Sequence, residues 1–370
     1  MKVLFWVGYA RPSWDKGTWE SGGIGGSEYC VIKLADYLDL NGCDVIVSGD
    51  VKTGNWYGVQ YVHHSELIDH RGPRGLNHKS KIEVYEHYDV VIATNYLHAF
   101  RHLDDARIEY DKLYFWMHNE DFYRWYRGSE LPNWKQYLTH DKLAKIVGVS
   151  QYHVDEHLIP RFKALGYTPQ QSNTYISSID NAIDLNDYKD RSVVSKVQNR
   201  IIWSSSPDRG LTMILDNWLD WKQKVPSLSL EICCPPYATD WFNYDISKLP
   251  DVNWQGNRCP KDLKTEIAKA EYWIYSSDYT ETYCITALEM MMGRVKIITN
   301  GTGNLKNLVT KNRGTLVGDN NADEIIEAII ADKINPAIAG GKLNNAYDFA
   351  SRQNWDVRVQ EWLKLIKPNV

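Results

Sequence analysis

Twice along the chain, short apolar runs alternate with stretches of helical length, and that alternation limits the fold more than any single residue does. The first series is "KVLFWV" at the start, then "CDVIVSG", "DVVIAT", "KLYFWM" and "KIVGV", with a helix expected from about Ser27 to Leu40. The pattern restarts at residue 201 with "IIWSS", "LSLEICC", "VNWQG", "YWIYSS", "VKIIT" and "GTLVG". Brief apolar runs separated by helices are what parallel strands covered on both faces require. At 370 residues the chain is also too long for one ordinary core. It therefore reads as α/β, with two doubly wound domains at 1–190 and 191–345 joined by the polar segment 186–200, and with ligand expected in a cleft at the carboxyl ends of their strands. In the tail "YDFASRQNWDVRVQEWLKLIK", Trp355, Val359, Trp362 and Leu363 recur at helical spacing. A C-terminal helix at 346–370 is expected to pack back on the first domain.

The composition removes several alternatives. With 43% hydrophobic and 24% charged residues and a net charge of −5, the chain is globular and has no electrostatic reason to bind nucleic acid or an anionic membrane. Cysteines 30, 43, 233, 234, 259 and 284 form no C-x-x-C pair, so neither a disulfide framework nor a zinc finger is indicated, and reduced thiols in a cytoplasmic protein are expected. The opening apolar run is far shorter than the ~20 residues of a membrane span and lacks a small-residue cleavage site. It reads as a first strand, and no transmembrane segment is expected. The Asn300-Gly301-Thr302 sequon is taken as chance. All eleven histidines lie between His63 and His157. Of these, His63, His64, His70 and His78 lack ligand spacing and read as solvated loop residues rather than a metal site.

Three stretches carry candidate chemistry. In "SGGIGGSEYC", Gly22, Gly23, Gly25 and Gly26 bare their amides ahead of a helix, which suits a diphosphate, although a flexible loop with a serine cap gives the same letters. Glu28 stands where a dinucleotide fingerprint starting at Gly23 would need glycine, and no G-K-[ST] occurs. In "IIWSSSPDRGL", a strand end, three hydroxyls and Arg209-Gly210 at a helix start suit a phosphate; a Pro-Asp turn with a solvated arginine is the alternative. In "YSSDYTETYCITALEMMMG", Glu281 lies in a loop and Glu289 on a helix stopped by Gly293, eight positions apart. Sugar hydroxyls would suit both carboxylates. A helix-capping acid plus a solvated glutamate would also explain the pair.

Taken together, the order and spacing of these elements resemble the retaining GT-B nucleotide-sugar glycosyltransferases of glycosyltransferase family 4, also called glycosyl transferases group 1. The resemblance covers most of the chain and is densest at 201–317. The two glutamates with seven residues between them follow a strand ending in small polar residues, as in that family. "NAIDLNDY" resembles its Asn-Gly-Val-Asp element, SPDRGL its S-P-E-K-G-L, and "FWMHNED" places His118 at a strand end. The chain departs from the pattern at Ser204, where the family has a second cationic clamp. It departs again at Thr282 and Cys284, which replace glycine, and at Arg209, which replaces lysine. The resemblance implies a GT-B fold of two Rossmann-like domains, the first for acceptor and the second for donor.

The resemblance also implies roles. Glu289 would hold ribose hydroxyls and Glu281 the donor sugar; Arg209 with the amides of Gly25, Gly26 and Cys284 would hold the diphosphate. Ser204 and Ser205 would contribute hydroxyls, backbone near Asn257 and Arg258 would meet the base, and Thr282, Tyr283 and Ile285 would line the donor. His118 would orient donor sugar or acceptor. The partners implied are a UDP- or GDP-sugar and a glycan or other hydroxyl acceptor. The chain has no D-x-D, which points to metal-independent transfer with no cofactor. A nucleotide-sugar epimerase on the same fold is one other reading. A carbohydrate-binding protein without activity, suggested by 15 Trp and 24 Tyr, is another.

Overall fold

The computed structural model describes residues 1–8, 13–69, 87–94, 103, 108–120, 141–164, 166–189, 194–235 and 242–367. It divides into two compact units, one made of Met1–Thr18, Gly26–Asn181 and Trp355–Val370, the other of Trp19–Gly25 and Ala182–Asn354. Besides the short segment Trp19–Gly25, the chain passes to the second unit at Ala182 and returns at Trp355, against expected bounds of 1–190 and 191–345.

Among the described residues the first unit holds an eight-stranded sheet. Its strands are β1 (Lys2–Trp6), β2 (Asp44–Gly49), β3 (Gly54–Trp56), β4 (Val59–His63), β5 (His87–Thr94), β6 (Glu109–Met117), β7 (Leu143–Gly148) and β8 (Ile176–Ser178). Their spatial order is β3-β4-β2-β1-β5-β6-β7-β8. All neighbours run parallel except β3 and β4. The central strands are apolar on both faces: Val3, Leu4, Phe5 and Trp6 of β1 are buried, as are Val90, Val91, Ile92 and Ala93 of β5. The β3–β4 hairpin turns on Tyr57 and Gly58, both at positive φ (53° and 107°), as a two-residue turn matching strand twist requires.

The C-terminal helix Trp355–Ile366 belongs to this unit. Trp355, Val359, Trp362 and Ile366 are buried along one stripe; Ile366 rather than the half-buried Leu363 completes it. Trp362 meets Trp116 edge-on at 5.1 Å, and Tyr114 donates a 3.0 Å hydrogen bond to the Leu365 carbonyl. These contacts seal one face of the sheet where β6 runs.

The second unit holds a six-stranded parallel sheet, β9 (Arg200–Trp203), β10 (Ser229–Cys233), β11 (Val252–Gly256), β12 (Tyr272–Tyr275), β13 (Lys296–Thr299) and β14 (Thr315–Leu316), in the order β11-β10-β9-β12-β13-β14. Numbered within the unit, that is 3-2-1-4-5-6, so the winding reverses between β9 and β12, the place where a doubly wound sheet opens a crevice. The ladder there is short: only Tyr272↔Ile201 and Trp273↔Ile202 pair, and the carboxyl ends separate.

Gly210 bridges the separation. Its φ is 109°, and a Cβ on it would lie 2.2 Å from the Ser276 carbonyl oxygen. The turn leaving β9 thus touches the backbone leaving β12, and only glycine fits both the angle and the gap. We expect Gly210→Ala to destabilise the protein by about 2–3 kcal/mol, the scale of a forced backbone conformation, read as a lower urea midpoint. An unchanged midpoint would show that these two loops are not in contact.

Candidate functional site

The turn after β9 supplies the cation. Beyond Trp203 come Ser204, Ser205 and Ser206, then a single turn over Pro207–Arg209. The Ser204 hydroxyl is buried with no hydrogen-bond partner among the described residues, and the Ser205 carbonyl accepts from the Trp203 indole at 2.8 Å. Arg209 Nη1 lies 3.0 Å from Glu281 Oε1, and the guanidinium sits 4.0 Å above the Tyr279 ring. Its side chain is 29% exposed, so the cation faces solvent on one side and a carboxylate on the other.

The loop after β12 supplies that carboxylate. Glu281 is 6% exposed and needs partners, because an unpaired charge loses its hydration on burial. Among the described residues it has two: Arg209, and the Tyr275 hydroxyl, which donates to the same Oε1 at 2.5 Å. Tyr275 is stacked between Trp203 (5.8 Å) and Trp273 (5.0 Å), and burial first, then Glu281, pushes its phenol well up, so it remains a donor. The loop backbone is equally constrained. Asn304 N–H donates to the Glu281 carbonyl at 2.7 Å, and Gly303, at φ 67°, approaches so closely that a Cβ would lie 2.4 Å from that oxygen.

Next in the chain are Thr282, half-buried, and Tyr283, buried, whose carbonyl accepts from the Asn304 side chain. Cys284 follows at φ 76°, ψ 76°, left-handed backbone that costs a side-chain-bearing residue about 1–2 kcal/mol. It precedes the helix Ile285–Met292 directly, at a position where the resembling family carries glycine. Burial, then Glu281, raises its thiol, and Arg209 and Glu289 act on it as well. Cys284 therefore stands between the Arg209–Glu281 pair and the helix that carries Glu289 in the chain, and all three charged residues act on its thiol.

Glu289 is partly exposed, and burial pushes its carboxyl up. Lys264 opposes that shift and Asp187 reinforces it. Lys264, buried, forms an ion pair with Asp187 and lies over the rings of Tyr188 (5.4 Å) and Trp19 (6.0 Å). Sequence reasoning missed Lys264, Asp187 and Tyr275. A signal existed for the first: Lys264 shares the buried face of the helix Pro260–Lys269 with Ile267 and Ala268, where a lysine needs a reason.

Asn257 and Arg258 follow β11 and meet the glycine segment. A Cβ on Gly22 would lie 3.2 Å from Asn257 Nδ2, and one on Gly23 would lie 3.3 Å from the Arg258 carbonyl oxygen. Arg258 is tied to Gln255, Gln255 to Glu231 at 2.7 Å, and Glu231 to Arg200 at 3.0 Å, so the turn is anchored back to β9 and β10. Gly25 ends this segment, and Gly26 opens the helix Gly26–Leu40 of the first unit.

His118 also belongs to the first unit, just past β6. Its ring packs on Trp116 at 4.4 Å, and burial, then His153, pushes it down to about 3. His153 is likewise down to about 3, from burial and then His157; it donates from Nε2 to the Asn119 carbonyl at 2.9 Å and accepts the Val149 N–H on Nδ1. Near neutral pH both rings are uncharged, so His118 is equipped for hydrogen bonding and not for delivering a proton.

With this geometry in place, the comparisons with known proteins are specific. Residues 210–347 match the family model described as Glycosyl transferases group 1. That span is similar to the group 1 glycosyltransferases. It begins at the glycine that bridges the two loops and contains both glutamates. No curated protein sequence matches the chain. Solved structures match it along its whole length. HepE of Anabaena, crystallised with UDP and glucose, aligns at TM-score 0.68 and 16% identity over 100% of both chains. A glycosyltransferase of Rickettsia africae ESF-5 aligns at 0.70 and 15%, over 100% of this chain and 99% of its own. The sucrose-phosphate synthase of Thermosynechococcus elongatus aligns at 0.67 and 13%, over 99% and 98%. The fold is GT-B, as in these structures.

The two depressed histidines set a pH dependence. The unfolded chain takes up protons near the ordinary histidine value of 6.5, whereas folded His118 and His153 do so only near 3. Their contribution is complete above pH 6.5 and is lost as pH falls from there towards 3, at a slope on the order of 1 kcal/mol per pH unit for each ring. Urea midpoints at pH 7, 6 and 5 should fall accordingly, and His153→Gln should flatten the trend. Equal slopes in parent and variant would mean that these rings titrate normally.

Proposed function

We propose that the chain transfers a sugar from a nucleoside-diphosphate sugar to a hydroxyl acceptor, with retention of configuration and without a metal. The observation that carries this reading is the Arg209–Glu281 pair at the crevice between β9 and β12, with Glu281 inside the span that matches the group 1 family model and Arg209 directly before it. A guanidinium already desolvated on one side, within reach of the unsatisfied Ser204 hydroxyl's turn, suits a diphosphate. Glu289, one helix turn further on, suits ribose hydroxyls, and the turn at Asn257 and Arg258 suits a base. Among donors, UDP-sugars are the first to test, since HepE was crystallised with UDP-glucose. On this reading the cytoplasm remains the proposed compartment, and no helix of the described residues is long and apolar enough to cross a membrane.

Chemistry then reduces to positioning and charge. The departing diphosphate takes the acceptor proton on the face it leaves, and Arg209 stabilises the negative charge that develops there. Glu281 orients the sugar, held in turn by Tyr275. Neutral His118 contributes a hydrogen bond to donor sugar or acceptor.

Calorimetry on two variants separates the glutamates. Glu289→Gln should weaken free UDP and intact donor alike, by ~1.5–3 kcal/mol for charged hydrogen bonds. Glu281→Gln should lower sugar transfer while binding free UDP as well as the parent or better, because the neutral amide no longer competes for Arg209. A folded Glu281→Gln protein that binds UDP more weakly would overturn these assignments, and so would a Glu289→Gln protein that binds it unchanged.

Turnover should also survive chelation. Complete loss in EDTA with recovery on added Mn²⁺ would sink the metal-free mechanism.

A further inference from the structure

His63 and His64 do not sit as solvated loop residues. His63 ends β4 and His64 opens the helix His64–Asp69, and both are half-buried. His70 and His78, grouped with them in the sequence, lie outside the described residues. The parallel register pairs Gly49 of β2 with His63, so Asp50, the next residue, arrives beside both histidines. Asp50 Oδ1 lies 3.5 Å from His63 Nε2 and 3.3 Å from His64 Nδ1, and the two rings stand 4.2 Å apart. The three ligand atoms fall within 4.8 Å of one another.

The two Asp50 separations are long for hydrogen bonds but correspond to edges of a coordination tetrahedron. Ligand bonds of ~2.0–2.2 Å at the tetrahedral angle place donor atoms about 3.3–3.6 Å apart. The frame is also held in advance. The Asp50 N–H donates to the Gly8 carbonyl at 2.9 Å, and its carbonyl accepts from Trp14 at 3.3 Å. The His63 N–H donates to the Thr53 hydroxyl at 3.0 Å. His63 Nδ1 lies 2.7 Å from Ser65 Oγ, closer than the 3.3 Å to the Ser65 N–H. A proton on Nδ1 donated to that hydroxyl leaves the Nε2 lone pair directed at Asp50, the outer contact that metal-bound imidazoles use. His64 Nδ1 also lies 3.3 Å from the Gly49 carbonyl, so an ion bound at Nδ1 replaces the proton shared there.

We propose that Asp50, His63 and His64 bind one divalent transition-metal ion, zinc above all, with a fourth position open to water or an outside ligand. Two imidazoles and one carboxylate suit zinc and its neighbours far better than magnesium or calcium, which take oxygen ligands. The ion ties the ends of β2 and β4 to the start of the following helix. The site lies in the first unit, whereas the Arg209–Glu281 cluster lies in the second.

The test is calorimetry of Zn²⁺ binding to the chelator-stripped, desalted full chain, with Co²⁺ as a spectroscopic probe. About one ion should bind, and bound Co²⁺ should show the intense visible bands of a four-coordinate site. His63→Ala and Asp50→Asn should each weaken binding at least ~10-fold, since loss of even an outer partner costs that much. His87→Ala, in the exposed cluster with Asp89 and Asp111, should leave it unchanged. If His63→Ala fails to fold, Asp50→Asn decides alone. No saturable binding below millimolar Zn²⁺, or unchanged affinity in the folded variants, would show that the three residues form only a hydrogen-bonded cluster.

Discussion

The second unit is organised around one buried carboxylate. Glu281 is nearly inaccessible, yet it comes from a loop, and a loop carboxylate stays buried only where fixed partners meet it. Those partners come from both sides of the sheet's winding reversal: Arg209 from the turn after β9 and Tyr275 from the end of β12. The pair can form because Gly210 lets the first turn touch the backbone at Ser276, and because Gly303 lets a third loop press against Glu281 itself. Three loops from three strand ends are thus fitted to one side chain, and each glycine stands where a Cβ would separate them.

Cys284 marks where that fitting is under strain. Its left-handed backbone turns the chain from the Glu281 loop into the helix bearing Glu289, and the residue there is not the glycine such an angle favours. The surrounding contacts absorb the cost: the thiol is buried, the Cys284 carbonyl accepts from Ala287, and the preceding Tyr283 carbonyl is held by Asn304. The geometry of the two glutamates is therefore imposed by tertiary packing.

How much of this was legible in the sequence depends on how far apart the interacting residues are. The parallel sheets were readable because β1, β2, β5, β9 and β12 are continuous apolar runs, and the helix Ile285–Met292 because Gly293 stops it. The hairpin of β3 and β4 was not, since it turns on Tyr57-Gly58 rather than an Asn-Gly pair and its strands carry Asn55, Gln60 and His63 among apolar residues. β8 was hidden for a related reason: three residues in a polar stretch leave no period to count. At the site, Arg209, Glu281 and Glu289 could be named because each sits at a strand end or helix start. Lys264 and Asp187 meet across 77 residues and Arg209 and Glu281 across 72, so no local rule reveals which charge faces which. Asp50 with His63 and His64 is the same case, since it is the register of β2 on β4 that joins them.

The paired state of Arg209 bears on how a donor would be held. An arginine waiting in water binds a diphosphate at the full cost of its own desolvation, whereas Arg209 has already lost part of its hydration to Glu281 and the Tyr279 ring. On the proposed reading, binding is an exchange of counter-ions. A diphosphate carries more charge than one carboxylate and presents several oxygens to a planar guanidinium, so it displaces Glu281 from Arg209. The released carboxylate does not become an unpaired buried charge, because Tyr275 still donates to it, and its freed lone pairs face whatever hydroxyls accompany the diphosphate. A bare inorganic anion offers no such hydroxyls and leaves Glu281 with Tyr275 alone. The same ion pair that fills the crevice thereby favours a ligand carrying both parts, diphosphate and sugar, over either one.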